Sequence, residues 1–519
     1  MNAAANATDL RRRAEAFAEA RDWAQAIACF EEIRRLTPGD ADVALQLSYL
    51  HSLAGRYRRA REHALEAYRL KPSRPAVLKE LVARLRTFNE AEALLACVRG
   101  LGALSRIEIP LLLAIAAQLS YLNLQEDALR FLDEARRGDP DYPPTLMSRA
   151  QVLIYLGRFD EAESELQRCR TRAPQLPKLY WLLATLGRAP RDGSLAQAMV
   201  RLLQRPGLAA EDAAMLGFAL HLELDRAGRH AEAWQALMFG CRAKRAQVDY
   251  APAEMRATVE ALRRLPIGRG AERGGDVRPR PIFIVGMHRS GTTLLEQLLD
   301  ANPQVRSIGE LYDFTSAMRF ETDHHCRGVV DLTVVERARE ADFAAVGQRY
   351  LDGLAWRIGD AAYFTDKLPS NFLNIGFISQ ALPNARILHL VRDPVETCFS
   401  NLRELFSDAN AFSYDLGELA DYFGLYRGLM AHWHAALPGR ILDVPYAGLV
   451  DDTESTMRRV AAFCGLEFLP AMTDPQSSGR AVATASAVQV RQGIRRPSQP
   501  KWKPYEAELA PLIQRLPLV

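Results

Sequence analysis
The chain has 519 residues, enough for two or three domains at roughly 100–200 residues each, and its 66 basic and 63 acidic residues leave a net charge of +3. That balance supplies no basic excess on which to argue a nucleic-acid partner, and none is expected. Seven scattered cysteines (Cys29, Cys97, Cys169, Cys241, Cys326, Cys398 and Cys464) lack paired spacing, and the polar start MNAAANATDLRRR and the rest of the chain offer neither a leader nor an apolar run of membrane-spanning length; reduced thiols and a cytoplasmic protein without a transmembrane segment are expected.

The N-terminal half repeats itself every 34 residues. Ala26 recurs as Ala60 and Ala128 as Ala162, Pro38 recurs as Pro72 and Pro140 as Pro174, and Gly55-Arg-Tyr57 matches Gly157-Arg-Phe159. Apolar residues between these markers, such as Ala26, Phe30 and Ile33, fall at helical spacing. Small alanines let paired helices approach, and the proline stops the second helix. The pattern resembles the tetratricopeptide repeat, with residues 75–109 a degenerate copy and Gly228–Ala233 marking a late one. An all-α solenoid over residues 1–264 is expected, with a concave face that binds a protein or peptide. The glycine- and arginine-rich stretch 265–280 reads as a linker.

From Pro281 the pattern changes. Ile282, Phe283, Ile284 and Val285 form a short apolar run suited to a parallel strand covered on both faces. Gly286 and Gly291 bracket Met287-His-Arg-Ser290, and Leu294, Leu295, Leu298 and Leu299 then recur at helical spacing until Asn302-Pro303. Strand, glycine-bounded loop and helix N-terminus together form an anion site. The nucleotide-binding G-x-x-x-x-G-K-[ST] pattern is almost present, but Thr292 stands where its lysine would be, and Arg289 carries the charge instead.

The stretch PIFIVGMHRSGTTLLEQLL resembles the 5′-phosphosulfate loop of sulfotransferases that use 3′-phosphoadenosine 5′-phosphosulfate (PAPS), and most of all the protein-tyrosine sulfotransferase branch, which shares RSGTT. The resemblance runs from Pro281 towards Trp502 and implies a P-loop-like α/β domain over residues 281–519 with a parallel sheet. It assigns Arg289, Ser290, Gly291, Thr292 and Thr293 to the phosphosulfate, with Arg289 also in catalysis. It makes Glu310 the base that takes the acceptor's proton and Lys367 the cation at the transferring group. Ser307 stands where secreted relatives have a cysteine.

Arg386-Ile-Leu-His-Leu-Val391 reads as a second buried strand, followed by Arg392-Asp-Pro394 and a helix. Arg392 thus stands at a strand's carboxyl end, where open α/β sheets bind ligands, and the resemblance gives it and Ser400 the 3′-phosphate. The same resemblance makes Tyr446, Ser486 and Lys501 candidates around the nucleotide, with Arg491, Arg495 and Arg496 as a basic flap. His324, His325 and Cys326 lack a spaced second pair and read as a loop, and no metal is expected in the chemistry.

These readings combine into a multidomain protein that transfers a sulfuryl group from PAPS, in line, to a hydroxyl, with a protein or peptide tyrosine as the leading acceptor. A carbohydrate or small-molecule hydroxyl is the alternative acceptor. A triphosphatase would need the missing lysine, and a non-catalytic adaptor predicts loss of Glu310, Lys367 or Arg392, all of which are present.

Overall fold
The computed structural model describes residues 3–267, 278–406, 408–477, 480–484, 487–491, 493 and 499–516. Ser486, Arg495, Arg496 and most of the expected linker lie outside them.

Helices run without interruption by strands from Ala3–Glu19 to Pro252–Arg263. The 34-residue period has a backbone cause. Arg21, Gly55, Asn89, Asn123 and Gly157, each 34 residues after the last, all adopt the left-handed region, with φ of 58°, 72°, 56°, 59° and 78°. That conformation turns the chain between the two helices of a hairpin, and Gly and Asn tolerate it best. Five residues further on, Ala26, Ala60, Leu94, Ala128 and Ala162 are all fully buried. Leu94 and Asn89 show that the degenerate copy keeps both the turn and the packing position of its neighbours.

The C-terminal half is built on five parallel strands: β1 (Arg280–Gly286), β2 (Val305–Ser307), β3 (Tyr363–Asp366), β4 (Arg386–Val391) and β5 (Ile441–Pro445). Their spatial order is β2-β3-β1-β4-β5. Ile282, Phe283, Ile284 and Val285 are fully buried, as a central strand covered on both faces requires. Leu295, Leu298 and Leu299 of the following helix pack on Ile282, Ile284, Leu388 and Leu390. Because all five strands point the same way, their carboxyl ends gather on one edge of the sheet.

The chain packs as two compact units, and they do not part at the linker. One comprises Met1–Gly138 with Tyr312–Arg357, the other Asp139–Leu311 with Ile358–Val519. The repeat helices from Pro143–Leu156 onward therefore belong with the sheet, whereas the helical segment after Leu311 belongs with the first repeats. In that first unit Tyr57 shares a 2.7 Å hydrogen bond with Ser316, and Arg58 Nε donates to the Phe320 carbonyl at 2.7 Å. His324, expected in a loop, meets Asp331 at 2.8 Å.

Candidate active site
The five strand ends present the expected residues side by side. The loop after β1 carries Met287–Gly291, β2 leads to Glu310, β3 runs into Lys367, β4 runs into Arg392, and Tyr446 follows β5. Gly291, at φ +111°, caps the helix Thr292–Asp300, and a Cβ there would stand 2.4 Å from the Tyr446 ring. Only glycine fits that closure. Ser290, Thr292 and Thr293 are buried, and the Ser290 hydroxyl finds no hydrogen-bond partner among the described residues. A buried unpaired hydroxyl at a helix N-terminus is suited to an anionic ligand.

Other residues hold the loop. Asn401 Nδ2 donates to the His288 carbonyl at 2.7 Å, and Arg392 Nη1 donates to the Arg289 carbonyl at 3.1 Å. Glu296 Oε1 accepts from the Gly309 amide at 3.0 Å and from the Thr365 hydroxyl at 3.1 Å, tying the segment before Glu310 to the loop's helix. Burial pushes the Glu296 carboxyl above its ordinary range. This acid was legible as Glu on a helix whose neighbours face the sheet, yet its tether to Gly309 was not.

Lys367 is completely buried, and its ammonium donates to Glu310 Oε1 at 2.5 Å. Its amide also donates to the Gly309 carbonyl at 3.2 Å, so strand and loop fix both members of the pair. Glu310 is about one-third exposed, so the pair has one member open to solvent. His288 is held neutral beside them: burial pushes its imidazole down to about 4, Glu310 opposes and Lys367 adds to the shift.

Arg289 points to the neighbouring part of the site. At φ 64°, its guanidinium donates to Ser400 Oγ at 3.3 Å and to Gln489 at 3.0 Å, with Glu404 at 3.7 Å. The sequence placed Arg289 on the phosphosulfate and Ser400 on the 3′-phosphate; the fold brings the two together. Arg392 pairs with Glu396 at 3.0 Å and lies 4.4 Å from the centroid of the Tyr446 ring. Lys501, exposed at the rim, joins this cationic group: desolvation by the surrounding chain and then the guanidiniums of Arg403 and Arg289 lower its pKa. Thr484 reaches Thr293 at 3.5 Å.

Two contributions come from the repeat helices. Tyr155, on helix Pro143–Leu156, is half-buried, and desolvation and then the charges of Glu310 and Glu404 push its phenol up to about 12. Its carbonyl accepts from the Val482 amide at 2.9 Å and from Arg491 Nη1 at 2.9 Å. Arg491, expected in a flap over the nucleotide, is thus spent on the end of a repeat helix. Gly157 makes room for it: a Cβ there would stand 2.7 Å from Arg491 Nε. Gly157→Ala is therefore expected to destabilise the protein by more than Gly228→Ala. Both positions have left-handed φ, 78° and 73°, but nothing lies near a Cβ on Gly228. Each substitution costs about 1–2 kcal/mol of backbone strain, and only Gly157→Ala should also speed proteolysis within 480–491. Thermal melting with limited proteolysis checks both.

The second contribution is Asp225, which accepts from Arg403 at 2.8 Å and from the Tyr505 hydroxyl at 2.5 Å, fastening the C-terminal segment beside the cations. Burial opposes its ionisation, but Arg403 and Tyr505 hold it below the usual carboxylate range. Next to it, burial and Arg403 push the fully buried His221 down to about 3. The unfolded chain takes up that proton near the ordinary pKa of about 6.5, so the fold loses stability as pH falls below it. Wild type should lose about 2 kcal/mol more than His221→Gln between pH 7 and pH 5 in chemical denaturation.

A profile of the sulfotransferase family matches residues 281–470. That segment is a sulfotransferase domain. A protein of Aquifex aeolicus is 27% identical over 441 residues, covering 77% of this chain and 57% of its own length. Protein-tyrosine sulfotransferase 2 of Gallus gallus is 28% identical over 200 residues, 36% of this chain and 51% of the relative. The chain spans about half the length of these curated relatives. Among solved structures, the sulfotransferase domain of a Synechococcus olefin synthase shares 18% identity over 48% of this chain and 99% of its own, with a TM-score of 0.28. A tetratricopeptide repeat protein from Parabacteroides merdae covers 45% of this chain and 98% of its own at 14% identity and a TM-score of 0.33. The sulfotransferase domain begins at β1 and includes the loop, Glu310, Lys367, Arg392, Ser400 and Tyr446; Lys501 lies beyond the matched segment. Among the described residues no helix is long and apolar enough to cross a membrane.

Proposed function
We propose that this sulfotransferase domain moves a sulfuryl group from PAPS to the hydroxyl of a peptide tyrosine. The observation that carries the reading is the pairing of the fully buried Lys367 ammonium with the half-buried Glu310 carboxylate beside an anion-binding loop. The loop amides, Ser290, Thr292 and Thr293 take the 5′-phosphosulfate at the helix N-terminus. Arg392, Ser400 and Arg289 take the 3′-phosphate, with Lys501 adding positive charge and Tyr446 flanking the nucleotide.

Glu310 takes the phenol proton as the phenolic oxygen bonds to sulfur. The bond from sulfur to the 5′-phosphate oxygen breaks in line, leaving 3′,5′-adenosine diphosphate and a sulfated tyrosine. Lys367 meets the charge that develops on the departing oxygen, where a dry environment makes it most effective. The reading rests for its acceptor on the likeness to protein-tyrosine sulfotransferases, and the repeats are assigned a protein partner, in keeping with a cytoplasmic enzyme acting on proteins.

Thermal unfolding with 3′,5′-adenosine diphosphate and, separately, with ATP·Mg²⁺ tests the donor site. The first should stabilise by about 2.7 kcal/mol at one hundred times its Kd. Stabilisation by ATP·Mg²⁺ alone would contradict the reading.

A further inference from the structure
Far in sequence from the sulfotransferase domain, three helices of the first repeats converge on a small polar cluster. Glu31 lies on Trp23–Leu36, His51 on Ala41–Leu53, and His63 on Tyr57–Arg69. One ligand atom from each falls within 4.8 Å of the others. Both histidines are buried at 5% exposure, and their rings lie 5.2 Å apart and 14° from parallel.

The hydrogen-bond bookkeeping leaves a gap in this cluster. Glu66 Oε2 faces His63 Nδ1 at 3.0 Å, and a carboxylate can only accept, so Nδ1 carries the proton. In the neutral ring Nε2 is then bare. It faces Glu31 Oε1 at 3.7 Å, beyond hydrogen-bond reach, so two acceptors confront one another with no donor between them. The other Glu31 oxygen is occupied by Arg34 Nε at 2.9 Å, and Arg34 Nη1 also reaches Glu66 at 3.2 Å. His51 adds a buried Nδ1 with no hydrogen-bond partner among the described residues.

A cation resolves this arrangement. Ligands around a tetrahedral Zn²⁺ stand roughly 3.4 Å apart, given metal–ligand bonds of about 2.0–2.2 Å, and the His63–Glu31 separation lies a few tenths of an ångström from that. Two imidazoles and a carboxylate suit Zn²⁺ and leave a fourth position for water. Glu66 is then the outer carboxylate that fixes the tautomer of a ligating histidine. We infer that Glu31, His51 and His63 form a divalent-metal site of zinc type that pins the first two repeats together.

Full-length protein, stripped with chelator and dialysed against buffered Zn²⁺, should retain one equivalent that His63→Gln and His51→Gln each abolish. Glu66→Gln should weaken binding about 10- to 100-fold. His434→Gln, in the separate His389–His434–Asp443 cluster of the other unit, should leave that equivalent in place. Co²⁺ bound in place of Zn²⁺ should give a visible spectrum of tetrahedral type that is lost in the same variants. Because Glu31 is partly exposed, Glu31→Gln should fold as wild type and still bind more weakly. Zn²⁺ retention that is absent, or equal in wild type, Glu31→Gln and His63→Gln, would overturn the site. A Zn²⁺ equivalent lost only in His434→Gln would do the same.

Discussion
Glu310→Gln should lower the rate of sulfuryl transfer by about 10²–10⁴-fold, the range of a positioned general base, with little change in melting temperature. The amide keeps an oxygen for Lys367, so the buried ammonium still has a partner, but the base is gone. Glu310→Ala differs. It strands a fully buried Lys367 ammonium; removing one member of a buried pair costs about 3–5 kcal/mol, and less here because Glu310 is itself about one-third exposed. The two variants separate chemistry from folding: both should be inactive, and only the alanine variant should melt markedly lower. A Glu310→Gln enzyme with wild-type turnover of saturating PAPS would remove Glu310 from the chemistry. Lys367→Met is expected to lose transfer as well, because nothing else in the described site presents a buried ammonium to the departing oxygen.

Arg392→Ala should weaken binding of 3′,5′-adenosine diphosphate about 10- to 100-fold, since a hydrogen bond to a charged group contributes about 1.5–3 kcal/mol. Its partner Glu396 and the stacked Tyr446 ring are both partly open to solvent, so the fold should lose under about 1 kcal/mol. Adenosine 5′-phosphosulfate, which has no 3′-phosphate, supplies the control. Its affinity should fall less for Arg392→Ala than that of 3′,5′-adenosine diphosphate in isothermal titration, the residual loss reflecting the Arg392 bond to the Arg289 carbonyl. An equal loss for both ligands would place Arg392 elsewhere in the site.

The two halves of the chain were readable in the sequence to different depths. Ile282–Val285 announced a doubly covered strand because four consecutive apolar residues leave no polar face, and it is the centre of the sheet. The 34-residue period was legible because each copy must reproduce one left-handed turn and one fully buried contact, small in all but the copy that carries Leu94. Arg392 was legible because it follows a strand, whereas Glu310, Lys367 and Tyr446 came from the resemblance to sulfotransferases; parallel strands bring all four to one edge.

Direction and long-range partners were not legible. Arg289 sits in the loop as expected, yet its guanidinium is set by Ser400 and Glu404, more than 100 residues away in sequence. Arg491 looked like one member of a basic run, but the open carbonyls ending helix Pro143–Leu156 claim it. Tyr155 carried no local mark of its place near the site; only the fold brings it within electrostatic reach of Glu310. The helices after Leu311 followed from no motif, and the surface they cover is chosen by Tyr57 and Arg58 of the repeats.

The most direct measurement is transfer of labelled sulfur from PAPS by the full-length protein, offered tyrosine peptides, serine peptides and glycans in parallel. The account predicts label on the tyrosine hydroxyl, formed together with an equal amount of 3′,5′-adenosine diphosphate and absent with Glu310→Gln. Label on glycans alone would contradict the acceptor assignment. No transfer to any hydroxyl from a protein that binds PAPS would contradict the central claim.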